Sequence, residues 1–369
     1  MQIIRSKASK APLSESAVPF GMLRRRPPPL PRALGLLPRR NLAGLAIQPD
    51  RFNGYGVTNE LGSGLCAATV AREREEKASY MWDSVREEAE KMLSSSHRRT
   101  QYLRQVLQAR VLPHNTIAEA VNGTLSKKLA QQGGSGLDEE SWGALLKDIM
   151  DDDPEIEYAA ACDLARYVEI DPAADGHLSV FLFFKGFQAV QCARVSNFLW
   201  KEQDAESRLL ARMLQCRGSH TWGVDIHPGA KLGRGVTLDH ATGIVIGETA
   251  EVGNNVGFMH DVTLGATGKS VEHDRHPKVR DGAFLSAKCT VLGNIEVGEE
   301  AIVAANALVN KPVPPRHTAL GVPAKMIPMT GSNHLPISDP MVRWAEKNTK
   351  TYRADDGSIR ILRRLYHGS

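Results

Sequence analysis

From Ile226 onward the chain places an aliphatic residue or alanine on every sixth position: Ile226, Leu232, Leu238, Ile244, Ala250, Val256 and Val262. The series passes over Gly268 to Lys278 and resumes at Val279, Leu285, Val291, Val297, Val303 and Val309. A glycine often follows directly, as in Leu232-Gly233, Val256-Gly257 and Val297-Gly298. A period of six is neither the 3.6 of a helix nor the 2 of a strand. It predicts a parallel β-helix, in which each coil is three short faces stacked on the coil below. The seven hexads before the break and six after it make just over four coils of three hexads each. Pro312, Pro314 and Pro315 stop the regular strands, and Leu320-Gly321-Val322-Pro323 closes the region.

Upstream the spacing is helical. Met81, Val85, Ala89 and Met92 lie on one face of a predicted helix over 73–93. Further helices are expected over 98–111, 116–129 and 156–168. Another opens at Leu137-Asp138-Glu139-Glu140, with acids in its first turn where the helix dipole favours them. The stretch 178–199 is strongly apolar and reads as one or two buried helices. The expected class is α + β: a helical domain over 70–215, then a β-helix over 221–328 and a polar tail over 329–369.

Composition adds a leading segment. The net charge is +4, but the stretch 1–49 holds nine Arg or Lys and one acid, Glu15. The remainder carries 37 basic against 41 acidic side chains, or −4, which is no nucleic-acid signal. A basic, acid-poor, Pro-rich start suggests a transit peptide over 1–60, for a plastid or mitochondrion; a disordered tail on a cytoplasmic protein is the alternative. No apolar run approaches the ~18 residues of a membrane span. Cys66, Cys162, Cys192, Cys216 and Cys289 are scattered and odd in number. They argue against a disulfide framework or a cysteine zinc site, and for a reducing compartment. No bound metal is expected.

Histidines mark the candidate chemistry, because imidazole titrates where proton transfer near neutral pH needs it. His240 stands in the polar run Leu238-Asp239-His240-Ala241-Thr242-Gly243, at the third position of its hexad. Asp225 precedes it by a little less than three hexads, close to one coil. An Asp225–His240 dyad would orient the ring. A break in a solenoid leaves as a loop, and loops on rigid scaffolds often bind ligands. This one carries Asp274, Arg275, His276 and Lys278, which suit a carboxylate or zwitterion. His227, His260, His273 and His317 are read as structural.

The runs Asp225-Ile226-His227-Pro228, Leu238 to Gly243, Gly247-Glu248-Thr249-Ala250, Val262-Thr263-Leu264-Gly265, Asp274-Arg275-His276-Pro277-Lys278 and Gly293 to Gly298 resemble serine O-acetyltransferases. So do Met81-Trp82-Asp83, Asp171-Pro172-Ala173 and Lys185-Gly186-Phe187 in the helical part. The resemblance implies a left-handed β-helix and acetyl transfer from acetyl-CoA to the hydroxyl of L-serine. It implies His240 as general base with Asp225 as its partner, and Asp171, Asp239, Arg275 and His276 as serine ligands. Acetyl-CoA would lie along Gly265, Ala266, Thr267, Ala287 and Lys288. The family also implies cysteine inhibition, a homotrimer or dimer of trimers, and active sites between chains.

Two stretches depart from the family pattern. Ala266, Lys288 and Asn306 stand where the family usually has glycine. The chain ends His367-Gly368-Ser369 instead of the usual isoleucine, so the family's complex with O-acetylserine sulfhydrylase is not expected. The alternatives are a hexapeptide acetyltransferase for another hydroxyl acceptor, a zinc enzyme of γ-carbonic anhydrase type using His227, His240 and His260, and a non-catalytic or regulatory paralogue.

Overall fold

The computed structural model describes residues 63–131, 136–268, 273–329, 349–353 and 359–363. The expected transit peptide lies outside them. The described residues open with eight helices: α1 (Ser63–Leu93), α2 (Thr100–Arg110), α3 (Ile117–Gln131), α4 (Glu139–Asp152), α5 (Pro154–Ile170), α6 (His177–Phe183), α7 (Lys185–Glu202) and α8 (Ala205–Trp222). Asp138 caps α4, accepting the Ser141 amide at 2.8 Å. The apolar stretch 178–199 is two helices broken at Phe184. The last helix runs to Trp222, so the solenoid follows it with no linker beyond Gly223. Trp82, Trp142, Phe181 and Phe187 are buried in the helical core.

Short strands then wind into five coils. The first coil is β1 (Val224–Ile226), β2 (Lys231–Leu232) and β3 (Thr237–Leu238), and the second β4 (Ile244–Ile246), β5 (Glu251–Val252) and β6 (Gly257–Phe258). The third is β7 (Thr263–Gly265), β8 (Lys278–Val279) and β9 (Phe284–Leu285), and the fourth β10 (Thr290–Leu292), β11 (Glu296–Val297) and β12 (Ile302–Val303). The fifth holds β13 (Leu308–Val309) and β14 (His317–Leu320); β15 (Lys325–Pro328) folds back antiparallel on β14. Every third strand pairs in parallel, giving three faces: β1-β4-β7-β10-β13, β2-β5-β8-β11 and β3-β6-β9-β12-β14. In the tail, β16 (Thr349–Arg353) and β17 (Ile359–Arg363) form an antiparallel pair.

The register corrects the six-residue ladder. Ile226 pairs with Ile246, and Ile246 with Leu264. The second step is three hexads; the first is two positions longer. Leu264 then pairs with Val291, a step of three hexads and nine positions more. The excess over a strict repeat is therefore split, two positions at the corner between Leu238 and Ile246 and nine between Leu264 and Val279. The continuous ladder passes through Ile246, Val252, Phe258 and Leu264. Ile244, Ala250, Val256 and Val262 are also buried, but each stands two positions earlier. Each face turns two side chains inward, two apart, so apolar residues occupy both positions and a slip of two leaves the pattern intact.

β1, β2 and β3 each have a coil on one side only. An unpaired parallel edge needs a cap, and helical side chains supply it. Tyr167 Oη donates to the Leu238 carbonyl at 3.1 Å and accepts its amide at 2.8 Å. Asp163 Oδ1 accepts the Val236 amide at 2.8 Å, and Arg194 Nη2 donates to the Gly233 carbonyl at 2.7 Å. Asn197 Nδ2 donates to the Pro228 and Ala230 carbonyls at 2.8 and 3.0 Å. The approach is close: a Cβ on Gly186 would sit 2.0 Å from the Leu238 oxygen.

Asp163 is fully buried and ion-paired to Arg194 at 2.8 Å. Burial pushes its carboxyl up and the guanidinium beside it pulls it down. Removing one member of such a pair strands the other. Asp163→Ala is therefore expected to lower unfolding stability by about 3–5 kcal/mol, measured by denaturant titration; a loss under ~1 kcal/mol contradicts this reading.

Candidate active site

The two-position expansion of the first coil builds the corner that carries His240. His240 and Ala241 both take left-handed φ, 56° and 57°, and Gly243 follows at 81°. Successive non-glycine residues in that region are uncommon and strained. The turn is held by the Ala241 amide on the Asp239 carbonyl and the Thr242 amide on the His240 carbonyl, both 2.6 Å. Lys185, at the start of α7, donates to Thr242 Oγ1. The conformation thrusts the imidazole outward, with its side chain 70% exposed.

His240 is surrounded by titratable groups. Its Nε2 lies 3.7 Å from Asp239 Oδ2. Asp171, at the C-cap of α5, is 7% exposed and electrostatically coupled to both Asp239 and His240. Burial pushes the Asp171 carboxyl up; the Ala173 amide, 2.8 Å from Oδ1, opposes this, Asp239 reinforces it and His240 opposes it. The His260 ring packs edge-on against His240 at 5.7 Å between centroids. Two carboxylates at one corner suit the binding of a cationic ligand group there.

A second cluster stands at the next corner. Glu248 Oε2 pairs with Arg275 Nη2 at 2.7 Å, which holds the Glu248 carboxyl below its usual range. Thr249 Oγ1 accepts the Arg275 and His276 amides, each at 3.1 Å. His276 is 7% exposed, and burial pushes its pKa down, assisted by Arg275. The Thr249 amide donates to His276 Nδ1 at 3.2 Å. In the neutral ring this assigns the proton to Nε2, leaving a donor for an anion. Gly247 makes room: a Cβ there would meet the ring at 2.1 Å. Positions 269–272 of the loop lie outside the described residues.

The expected acetyl-CoA residues divide between the corners. Gly265 ends β7, one coil from Gly247, whose amide bonds the Leu264 carbonyl at 3.0 Å; Ala266 and Thr267 follow it. Ala287 and Lys288 belong to the His240 column: the Lys288 amide donates to the His260 carbonyl and the Asn306 amide to the Ala287 carbonyl, both at 3.0 Å. Lys288 and Asn306 take φ of 62° and 59°. This left-handed backbone explains why glycine suits these positions.

A family model described as "Serine acetyltransferase, N-terminal" matches residues 81–192. The serine acetyltransferase of Escherichia coli (strain K12) is 40% identical over 262 residues, 68% of this chain and 88% of that protein. This chain belongs to the serine acetyltransferase family. An Arabidopsis thaliana relative, "Serine acetyltransferase 3, mitochondrial", is 40% identical over 69% of this chain and 62% of its own length. The soybean enzyme solved with serine superposes with a TM-score of 0.63 at 38% identity, covering 68% of this chain and 99% of that one. A serine acetyltransferase solved with CoA gives 0.61 at 37% identity, covering 67% and 98%.

Within this member of the family the expected residues do not form one constellation. Asp171, Asp239 and His240 come together at one corner, and Arg275 and His276 at the other. Asp225 joins neither by a direct bond. The longer first coil sets it opposite Val245 on the first face, and its Oδ1 accepts Gln215 Nε2 at 2.7 Å. Among the described residues, no hydrogen bond or ion pair links it to His240. His260, read as structural, stands beside His240; the apolar-looking register of its coil gave no sign of this. His227 stands by the second corner, within electrostatic reach of Glu248, Arg275 and His276, its ring edge-on to Trp200 at 5.0 Å. No local pattern marks Tyr167, or the role of Thr249, because each side chain reaches across to a distant segment.

Proposed function

We propose that the chain acetylates the hydroxyl of L-serine with acetyl-CoA, giving O-acetylserine and CoA. The observation that carries this reading is the His240 corner, an exposed imidazole flanked by Asp239 and the buried Asp171. The two carboxylates suit the serine ammonium, and Arg275 with the Nε2–H of His276 suits its carboxylate. His240 takes the hydroxyl proton as the serine oxygen attacks the thioester carbonyl. The oxyanion needs N–H donors, for which the backbone beside Gly265 is the candidate. The tetrahedral intermediate expels the CoA thiolate, which takes the proton back from the imidazolium. Asp225 is the partner that the family resemblance gives His240. Because its carboxylate rests on Gln215, that role requires the ring or the glutamine to turn.

One copy does not suffice. Along one coil, Gly243 and Gly247 are separated by roughly 13 Å of strand, whereas the serine nitrogen and carboxyl carbon are about 2.5 Å apart. The two corners of one chain therefore belong to different sites, each completed by a second copy, as in a solenoid trimer. The exposed Tyr80 and Tyr102 of the helical domain, 64% and 74%, suit pairing of two trimers. Ala287 and Lys288 lie one coil beyond His260, where a pantetheine chain reaching His240 would run. The stretch 1–60 is proposed to direct the protein to an organelle.

Steady-state release of CoA thiol with serine and acetyl-CoA tests the activity; turnover of another hydroxyl acceptor but not serine would sink it. Asp171→Asn tests the ammonium site. A buried carboxyl with a raised pKa destabilises the fold above the ordinary 3.8 of aspartate, where the unfolded chain is ionised more readily than the folded one. The variant is therefore expected to melt higher than wild type at pH 7, with the difference vanishing below pH 3.8. Its KM for serine should rise at least about tenfold. An unchanged serine KM would take Asp171 out of the site.

A further inference from the structure

Among the described residues, Tyr167 makes the cap's hydrogen bonds to the residue next to the site. Leu238 is the last residue of β3, and Asp239 and His240 follow it. The Thr237 and Asp239 amides point to the coil above, on Val256 and Phe258. Those of Leu238 point the other way, and both its N–H and its C=O go to the single Tyr167 hydroxyl. That hydroxyl is fully buried, and burial pushes its pKa up. It remains a neutral group that donates and accepts at once. Tyr167 also stands one helical turn before Asp171, whose amide donates to the Tyr167 carbonyl at 2.9 Å. Its ring is fixed edge-on to Phe184 at 5.6 Å. The same residue thus grips the segment carrying Asp239 and sits on the helix end carrying Asp171.

We propose that Tyr167 is a positioning residue that sets the separation of the Asp171 and Asp239 carboxylates, and so the fit of the serine ammonium between the helical domain and the solenoid. It acts through Leu238 and touches no substrate. The inference rests on the proposed roles of Asp171 and Asp239. The consequence is specific: loss of the hydroxyl loosens one half of the serine pocket and leaves the acetyl-CoA column untouched.

The test is Tyr167→Phe in the full chain, with separate KM values for serine and acetyl-CoA. The expected result is a rise of about tenfold in serine KM, with acetyl-CoA KM unchanged within about twofold. Leu107→Ala is the control, since Leu107 is a buried core residue of α2. It is expected to lower Tm without moving serine KM. If Y167F fails to fold, 3,5-difluorotyrosine placed at 167 keeps the ring and weakens the hydroxyl as an acceptor, and serine KM should still rise alone. Parallel changes in both KM values, or an unchanged serine KM in a folded variant, overturn the proposal. Asp171→Asn separates the two readings. If D171N raises serine KM and Y167F does not, the positioning role fails alone; if neither does, the ammonium site fails with it.

Discussion

His240→Ala is expected to slow O-acetylserine formation by about 10²–10⁴-fold, the usual contribution of a general base. Fold and assembly should survive, because the side chain is 70% exposed and its ring contact is with the half-buried His260. Removing it also leaves the strained turn intact, since the hydrogen bonds of that turn do not use the His240 side chain. Initial rates of thiol release, read beside sedimentation velocity and a thermal melt, separate chemistry from structure. Near-normal turnover in a folded H240A oligomer would remove His240 from the mechanism. Asp239→Asn is informative beside it, because it alters the proposed ammonium site and keeps His240.

The second large effect is the recovery of activity by mixing two dead variants. H240A lacks the proposed base at one corner and R275A lacks the proposed carboxylate ligand at the other. Each alone is expected to be nearly inactive. Co-expressed and co-purified, they should regain activity, because a site can draw an intact His240 corner from one copy and an intact Arg275 corner from the next. With random assembly around a closed ring, about one quarter of the sites are whole. Recovery to that level supports a site shared between copies. No recovery, from mixed oligomers shown to contain both chains, means that each chain holds its own complete site. Glu248 holds Arg275 in place, so R275A is the cleaner variant than any change at Glu248.

The solenoid was legible because its interior is narrow: it admits aliphatic side chains at fixed intervals and little else. The first break in the interval was not. Ile244 and Ile246 are both buried, so an apolar ladder continues through either, and the two extra positions within Asp239–Gly243 stay hidden. A coil of three strict hexads sets Asp225 opposite Gly243, and the longer coil sets it opposite Val245. His240, Asp239, Arg275 and His276 stood out because polar runs interrupt apolar hexads. Tyr167, Asp163 and Arg194 stood inside ordinary helical patterns. Their meaning lies in the backbone groups they satisfy on a distant edge, which no spacing within a helix records.

The order of the chain gives that edge a history. The helical part, up to Trp222, leaves the ribosome before the strands of the solenoid do, and domains made first fold first. When Val224 emerges, Tyr167, Asp163, Arg194 and Asn197 already present the groups on which the first coil closes. The solenoid therefore starts on a template instead of nucleating alone, and each later coil adds to a finished one until β15 turns back on β14. A fragment beginning at Gly223 lacks the template and carries a bare parallel edge. Such fragments are expected to stack on one another, so that the helices serve as the starting plate of a one-way growth and as its guard against growth between molecules.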